Sequence, residues 1–489
     1  MVELDALVQG KRVKAERLPG MAEPHVVVVG GGIAGLAAAV FLSAGPRRVT
    51  LLEASGRVGG KLRAGEVGGV RVDLGAESVL ARRPEAVELA RLVGLGEELE
   101  PPSTARAAIW TGGGLRPIPT GQVMGVPGDL EALAASGVLS AEGLERARHE
   151  RPTGPVADDV PLGAYVGAAL GPEVVQRLVE PLLGGVYAGR TDQLSLRAAV
   201  PQLLAIARAG GSLVAGVREL TSRAAAAGPV FQGLRGGLGT LPEAAEAHLR
   251  KAGVDLRTDH PVDELRRTPT GWRVASGGSV LEADAVVLAV PAPQAARLVE
   301  AELPGAAAEL RQVEYAGMAL VTMAFRRADL ADSPLTGSGF LVPPVDGRQI
   351  KASTFSSNKW GWLARSAPDA FLLRTSLGRH REEAALDLPD EELVARSLAD
   401  LGAAVGLRAT PYATAVTRWR GGLPQYPVGH LERVERIRAQ VAGVGGLAVC
   451  GAAYDGVGIP AVIASARRAV DGLSTPTAGG PVAEGTMGA

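Results

Sequence analysis

The twenty residues from Val26 to Gly45 carry no charge, and Gly30-Gly31-Gly32-Ile33-Ala34-Gly35 lies inside them. An uncharged run of this length meets the roughly 20 residues a membrane span requires. The upstream Lys11, Lys14 and Arg17 could also stand as the basic start of a secretory signal. Against both stands the internal pattern. The four valines Val26 to Val29 are β-branched and read as a buried strand. A G-x-G-x-x-G follows in register, then helix formers to Gly45, then "VTLLE", a second strand ending in Glu53. This order is a βαβ unit that binds a dinucleotide.

Each residue type has a job in that unit. Gly30 permits the tight turn, Gly32 lets the backbone approach a pyrophosphate, and Gly35 lets helix and strand pack closely. The helix N-terminus supplies free N–H groups and a positive dipole. Glu53 suits the two hydroxyls of an unphosphorylated ribose, hence NAD or FAD rather than NADP. Downstream, Arg57, Gly59 and Gly60 suggest a second turn pressed on the same cofactor, which an NAD dehydrogenase does not need.

With 489 residues the chain is long enough for two or three domains. A net charge of −1 gives no case for nucleic acid or an anionic membrane. The single cysteine, Cys450, excludes an intrachain disulfide, makes the cytoplasm the default compartment, and sits in an apolar run as a small buried hydrophobe. The six histidines are scattered without metal-ligand spacing, so no metal is expected.

The expected fold is a mixed α/β one, with a Rossmann-like nucleotide-binding domain assembled from 24–100, 230–291 and 440–472. A mainly helical insertion is expected over 101–229 and a substrate-binding domain over 292–439. Residues 1–22 read as a flexible extension and 473–489 as a disordered tail. The Gly-rich loop at Gly451 and the helix after it return the chain to the cofactor.

"LGAES" (74–78), "GLRPIPTG" (114–121), "PLLGGVYAGRTDQLSLRAAVPQL" (181–203), "FQGLRGGLGTLPEAA" (231–245), "RWRGGLPQYPVGH" (418–430) and "GAAYDGVGIPAVIASARRA" (451–469) carry a resemblance. In order and spacing the chain resembles the flavin-dependent protoporphyrinogen and coproporphyrinogen oxidases of haem synthesis, from about 24 to 472. The resemblance implies FAD, with contacts at Gly30, Gly31, Gly32, Ile33, Ala34, Gly35, Glu53, Ala54 and Lys61. It also implies them at Gly75, Ala76, Glu77, Ser78, Val262, Trp419, Val457, Gly458 and Ile459. Substrate-positioning roles are implied for Arg106, whose guanidinium suits a propionate, and for the Gly189 carbonyl, which would face pyrrole N–H groups. Lys359 reads as a second propionate partner. No general base emerges. Many relatives carry paired arginines where this chain has "YVGAALG" (165–171), which leaves the substrate's polar contacts open.

The implied reaction removes hydrogens from a porphyrinogen in three two-electron steps, with molecular oxygen as acceptor and hydrogen peroxide as product. The "KW" pair and the Arg, Ala and Gly bias favour an actinobacterial type acting on coproporphyrinogen III. Protoporphyrinogen IX is the alternative substrate; a flavin amine oxidase and a non-catalytic flavin- or porphyrin-binding protein are the rival functions. A transient contact with the next enzyme of the pathway is a further expectation. The block 129–226 is Ala-rich, broken by charges and without an aromatic belt, so a soluble or peripheral protein without an integral membrane segment is expected.

Overall fold

The computed structural model describes residues 23–224, 228–333 and 335–473. The expected extension, and the expected tail apart from Leu473, lie outside the described residues. A five-stranded parallel sheet holds β1 (His25–Val29), β2 (Arg48–Leu52), β3 (Asp255–Arg257), β4 (Ala285–Leu288) and β5 (Leu447–Val449) in the order β3-β2-β1-β4-β5. The unbroken valine run of β1 follows from its central place. Val26 and Val28 enter one core and Val27 and Val29 another, so both faces are buried. Helices α1 (Ile33–Ser43) and α2 (Ile459–Asp471) pack on the first face. The second face is covered by a three-stranded antiparallel sheet over 262–283 and by helices Ala292–Val299, Pro304–Arg311 and His430–Ala442.

A second large sheet has seven strands. In spatial order they are Ala413–Pro424, Tyr315–Arg326, Ala370–Leu377, Ile350–Thr354, Gly339–Leu341, Ala107–Thr111 and Gly114–Pro117. The last two belong to the stretch 101–229 and join this sheet through a parallel pairing of Gly339–Leu341 with Ala107–Ile109. One face of the sheet is apolar and buried under helix Asp390–Val405 through Phe340, Phe371, Leu373, Leu393 and Leu401.

Between these sheets lies a helical block with its own core, including Leu133, Leu162, Val166, Leu178, Leu183 and Val217. Capping sets its local boundaries. Asp129 accepts from the amides of Glu131 and Ala132 at 3.0 Å, Gly137 ends that helix in the left-handed region, and Ser140 caps the next. A π turn at Val175–Val179 leads into helix Glu180–Tyr187, which ends at Ala188 with φ +48°. Among the described residues no helix is long and apolar enough to cross a membrane.

Candidate active site

The glycine loop has the shape its residue types require. Gly30 turns at φ +103°, where an added Cβ would lie 2.7 Å from the Ala289 carbonyl oxygen. A Cβ on Gly35 would collide with the Gly30 carbonyl. Gly32 differs: a Cβ there would meet no atom within 4 Å. The backbone at Gly32 therefore borders open space at the start of α1, whose first amides have no side-chain cap. Gly31 donates to Glu53 Oε2 at 2.7 Å, and the Ser55 amide and hydroxyl donate to Oε1. Ile33 and Ala34 form the first turn of α1, and Ala54 is exposed beside Glu53.

The second glycine turn does press on the first. Gly59 N–H donates to the Gly31 carbonyl at 2.8 Å, and a Cβ on Gly60 would sit 3.2 Å from Gly32 Cα. Arg57 donates to the carbonyls of Val58 and Gly60 and so braces this turn from within. The Lys61 ammonium has no hydrogen bond or ion pair among the described residues. Surrounding protein pushes its ammonium down to about 8, although the residue remains accessible to solvent. Val262 is buried at the start of its strand, just after His260, whose amide donates to the Glu53 carbonyl. At the far side Gly451 turns at φ +130°, Val457 packs on the helical block, and Gly458 and Ile459 open α2 without a side-chain cap. Two uncapped helix starts, an open glycine backbone and an acid at the end of β2 fit a flavin dinucleotide.

We expect Glu53→Ala to weaken flavin binding tenfold or more, since a charge-assisted hydrogen bond contributes about 1.5–3 kcal/mol. The thermal midpoint of the flavin-loaded protein should fall with it. Flavin titration and melting of the variant measure both; unchanged flavin content would remove the ribose role from Glu53.

The loop 74–78 is anchored to the seven-stranded sheet. Trp419 Nε1 donates to the Leu74 carbonyl at 3.0 Å, and its ring edge lies 3.4 Å from where a Cβ on Gly75 would be. Arg374 Nη1 donates to the Gly75 carbonyl at 2.6 Å, and the Ala76 amide reaches the Lys61 carbonyl at 3.4 Å. Glu77 is buried and pairs with Lys359 Nζ at 2.7 Å and Arg374 Nη2 at 3.3 Å; Ser78 beside it is half-buried. Burial alone would raise the Glu77 carboxyl, but the Arg374 and Lys359 charges overcome it and hold it down at about 2. Asp73 accepts from the Leu238 and Gly239 amides at 2.8 Å, and burial pushes its carboxyl up to about 6.

Lys359 is thus engaged by Glu77 rather than free. Arg106 is exposed, with no side-chain hydrogen bond among the described residues, at the Gly339 end of the sheet, where its carbonyl accepts from the Ser338 amide. Gly189 is buried against Gln425, whose amide donates to the Tyr187 carbonyl at 2.8 Å. The second face of the seven-stranded sheet runs between these residues. Leu341, Ala352 and Ser376 lie side by side in register on it, and all three are half-buried despite their central position. Gly184, Gly185 and Val186 stand across from them; a Cβ on Gly185 would be 3.8 Å from Leu341. Yet Gly185 and Val186 are exposed. The strip of sheet formed by Leu341, Ala352 and Ser376 is therefore only partly covered by the helix, which leaves a cleft that opens at Gly185 and Val186. Sequence reasoning missed Asp73, Arg374 and Gln425, because their roles depend on partners more than 160 residues away in the chain.

The sequence profile of the family described as flavin-containing amine oxidoreductase matches residues 33–473. The coproporphyrinogen III oxidase of Bacillus subtilis is 33% identical over 471 residues, covering 92% of this chain and 98% of that protein. The coproporphyrinogen III oxidase of Mycobacterium tuberculosis is 37% identical over 451 residues, covering 91% and 96%. A crystal structure from Exiguobacterium sp. 255-15, provisionally named a protoporphyrinogen oxidase, superposes with a TM-score of 0.82 at 35% identity over 92% of this chain and 99% of that one.

Proposed function

We propose, for a chain that belongs to the flavin-containing amine oxidoreductase family, that it holds FAD and oxidises coproporphyrinogen III to coproporphyrin III. The observation that carries this reading is the partly open cleft over Leu341, Ala352 and Ser376, joined to relatives of that name over nine-tenths of the chain. A bound FAD would supply the two-electron acceptor, restored by molecular oxygen with release of hydrogen peroxide. The protein's part is binding and orientation. Gly30 to Gly35, Glu53, the Arg57–Gly60 turn, Lys61, Gly75 to Ser78, Val262, Trp419, Gly451 and Val457 to Ile459 would hold the cofactor. The small floor of the cleft admits a flat, flexible macrocycle and excludes water from its bridging carbons. Arg106 takes a propionate at the Gly339 end. The Gly189 carbonyl orients the pyrrole N–H groups. Lys359 acts through Glu77, fixing the loop that carries Gly75.

The protein would work in the cytoplasm, peripheral to the membrane at most, and hand its product to the next enzyme of the pathway by transient contact. Protoporphyrinogen IX is the second reading, favoured by the name of the Exiguobacterium neighbour. An aerobic assay with each porphyrinogen, following porphyrin fluorescence and peroxide together, decides between them. We expect coproporphyrinogen III to be oxidised faster, above the spontaneous rate. Faster oxidation of protoporphyrinogen IX would move the enzyme one step later. A flavin spectrum with neither activity would bring the amine oxidase reading forward.

A further inference from the structure

Two cations lie at the end of the cleft floor opposite Arg106, and neither has a carboxylate within ion-pair distance among the described residues. Lys351 is 93% buried, since its residue exposure is 7%. Its Nζ donates to one backbone carbonyl, that of Gly378, at 2.9 Å. Arg379, which follows Gly378, has a buried Nη2 that meets no hydrogen-bond partner among the described residues. Both positions follow from the sheet. Strand Ile350–Thr354 carries a register shift between Ile350 and Ala352, which sets Lys351 out of the ladder. Gly378, just past the end of strand Ala370–Leu377, turns at φ +92° beside Met318, the cross-strand partner of Trp419. The His380 amide then donates to the carbonyl of Ala188, the residue preceding Gly189. The pair thus stands where the cleft floor meets the "VYAG" segment.

The Glu382 and Glu180 charges act favourably on Arg379, but neither pairs with it among the described residues. Glu180 is engaged by the Thr191 amide and hydroxyl, and burial raises its carboxyl. Arg190 is paired with Asp192, while Arg381 and His380 share Glu314. Glu382 is exposed and makes no ion pair among the described residues. A buried guanidinium edge without a counter-ion is costly, and burial with the Arg379 charge pushes the Lys351 amine down to about 7; an anion that enters removes that cost and favours the ammonium.

We infer that Lys351 and Arg379 form a carboxylate subsite of the cleft, which receives a propionate on the edge of the substrate away from Arg106. This rests on the porphyrinogen reading above and deepens it. Along the floor, Ser338 beside Arg106 and Val342 beside Lys351 are four residues apart, roughly 13 Å at the rise of a strand. That span matches a macrocycle with carboxylates on opposite edges. A porphyrinogen with propionates on one edge alone fills one subsite and leaves the other empty. The pair is therefore a specificity determinant for the four-propionate substrate.

The test uses the flavin-loaded full chain with Arg379→Gln, Lys351→Met and the conservative Arg379→Lys. Replacing a buried cation by an uncharged side chain of similar length leaves no orphaned charge, so the variants should fold with wild-type flavin content. Loss of a charge-assisted bond predicts a rise of about ten- to a hundredfold in the coproporphyrinogen III KM. The protoporphyrinogen IX KM should move by about twofold or less, and Arg379→Lys should restore most of the loss. Equal losses for both substrates, or no change for either, would overturn the subsite. Equilibrium binding of coproporphyrin III against its uncharged tetramethyl ester tests it without turnover. Wild type should prefer the acid and Arg379→Gln should lose that preference. If the wild-type protein oxidises neither porphyrinogen, the functional reading fails. The subsite fails separately if acid and ester bind Arg379→Gln with the wild-type ratio.

Discussion

A Gly32→Val variant should fold, purify without colour and melt where the flavin-free wild-type protein melts. Gly32 has φ −67° and ψ 177°, an extended backbone that any residue adopts. Its Cβ would meet no protein atom within 4 Å, so the branch point of the new side chain enters open space without backbone strain. The space it fills is the space a pyrophosphate needs above the first turn of α1. Flavin content, read from the ratio of flavin to protein absorbance, should drop tenfold or more, as the loss of about 1.4 kcal/mol already requires. Gly35→Ala makes the contrast. Its Cβ runs into the Gly30 carbonyl, so that variant should lose the fold together with the flavin. A Gly32→Val protein that retained full flavin would show that the dinucleotide lies elsewhere.

The second large effect belongs to Glu77. Removing the carboxylate with Glu77→Gln leaves Lys359 and Arg374 as half-paired cations with side chains 16% and 14% exposed. Breaking one partner out of such a cluster costs about 3–5 kcal/mol. The pH dependence gives an independent signature. The folded carboxyl sits at about 2 against an ordinary 4.5, so its contribution is present above 4.5 and lost as pH falls toward 2. A shift of that size corresponds to about 3 kcal/mol. Asp73 works in the opposite sense. Raised from 3.8 to about 6, it contributes below 3.8 and the contribution is lost as pH rises through 6. Denaturant unfolding of wild type and Glu77→Gln between pH 7 and about pH 3 should therefore converge toward the acid end. Parallel curves would show that the charge cluster does not set the stability of this loop.

The βαβ unit was legible in the sequence because everything that defines it is local. Glycine spacing, a β-branched run and an acid one strand later all lie between Val26 and Glu53. Lys359 shows where local reading stops. A scarce lysine near a tryptophan reads as free to meet a ligand, but its partner Glu77 lies 282 residues earlier. Lys351 carries no such signal at all, since a register shift in a ladder leaves no mark in a single strand's composition. The cleft floor was likewise hidden. Leu341, Ala352 and Ser376 come from three strands and form a surface only once those strands are in register.

The parallel sheet that carries the dinucleotide loop is closed by β5, whose residues Leu447–Val449 pair with Val286–Leu288. Cys450 follows directly, fully buried, with its thiol pushed up to about 12 by that burial. A growing chain leaves the ribosome from its N-terminus, so β1 and α1 are synthesised long before the strand and helix that cover them. Until Leu447 to Asp471 emerge, the apolar side of α1 and one edge of β4 stand open. Nascent chains stalled before this segment should be bound by chaperones and be unable to retain flavin. Cofactor capture thereby waits for the emergence of β5 and α2.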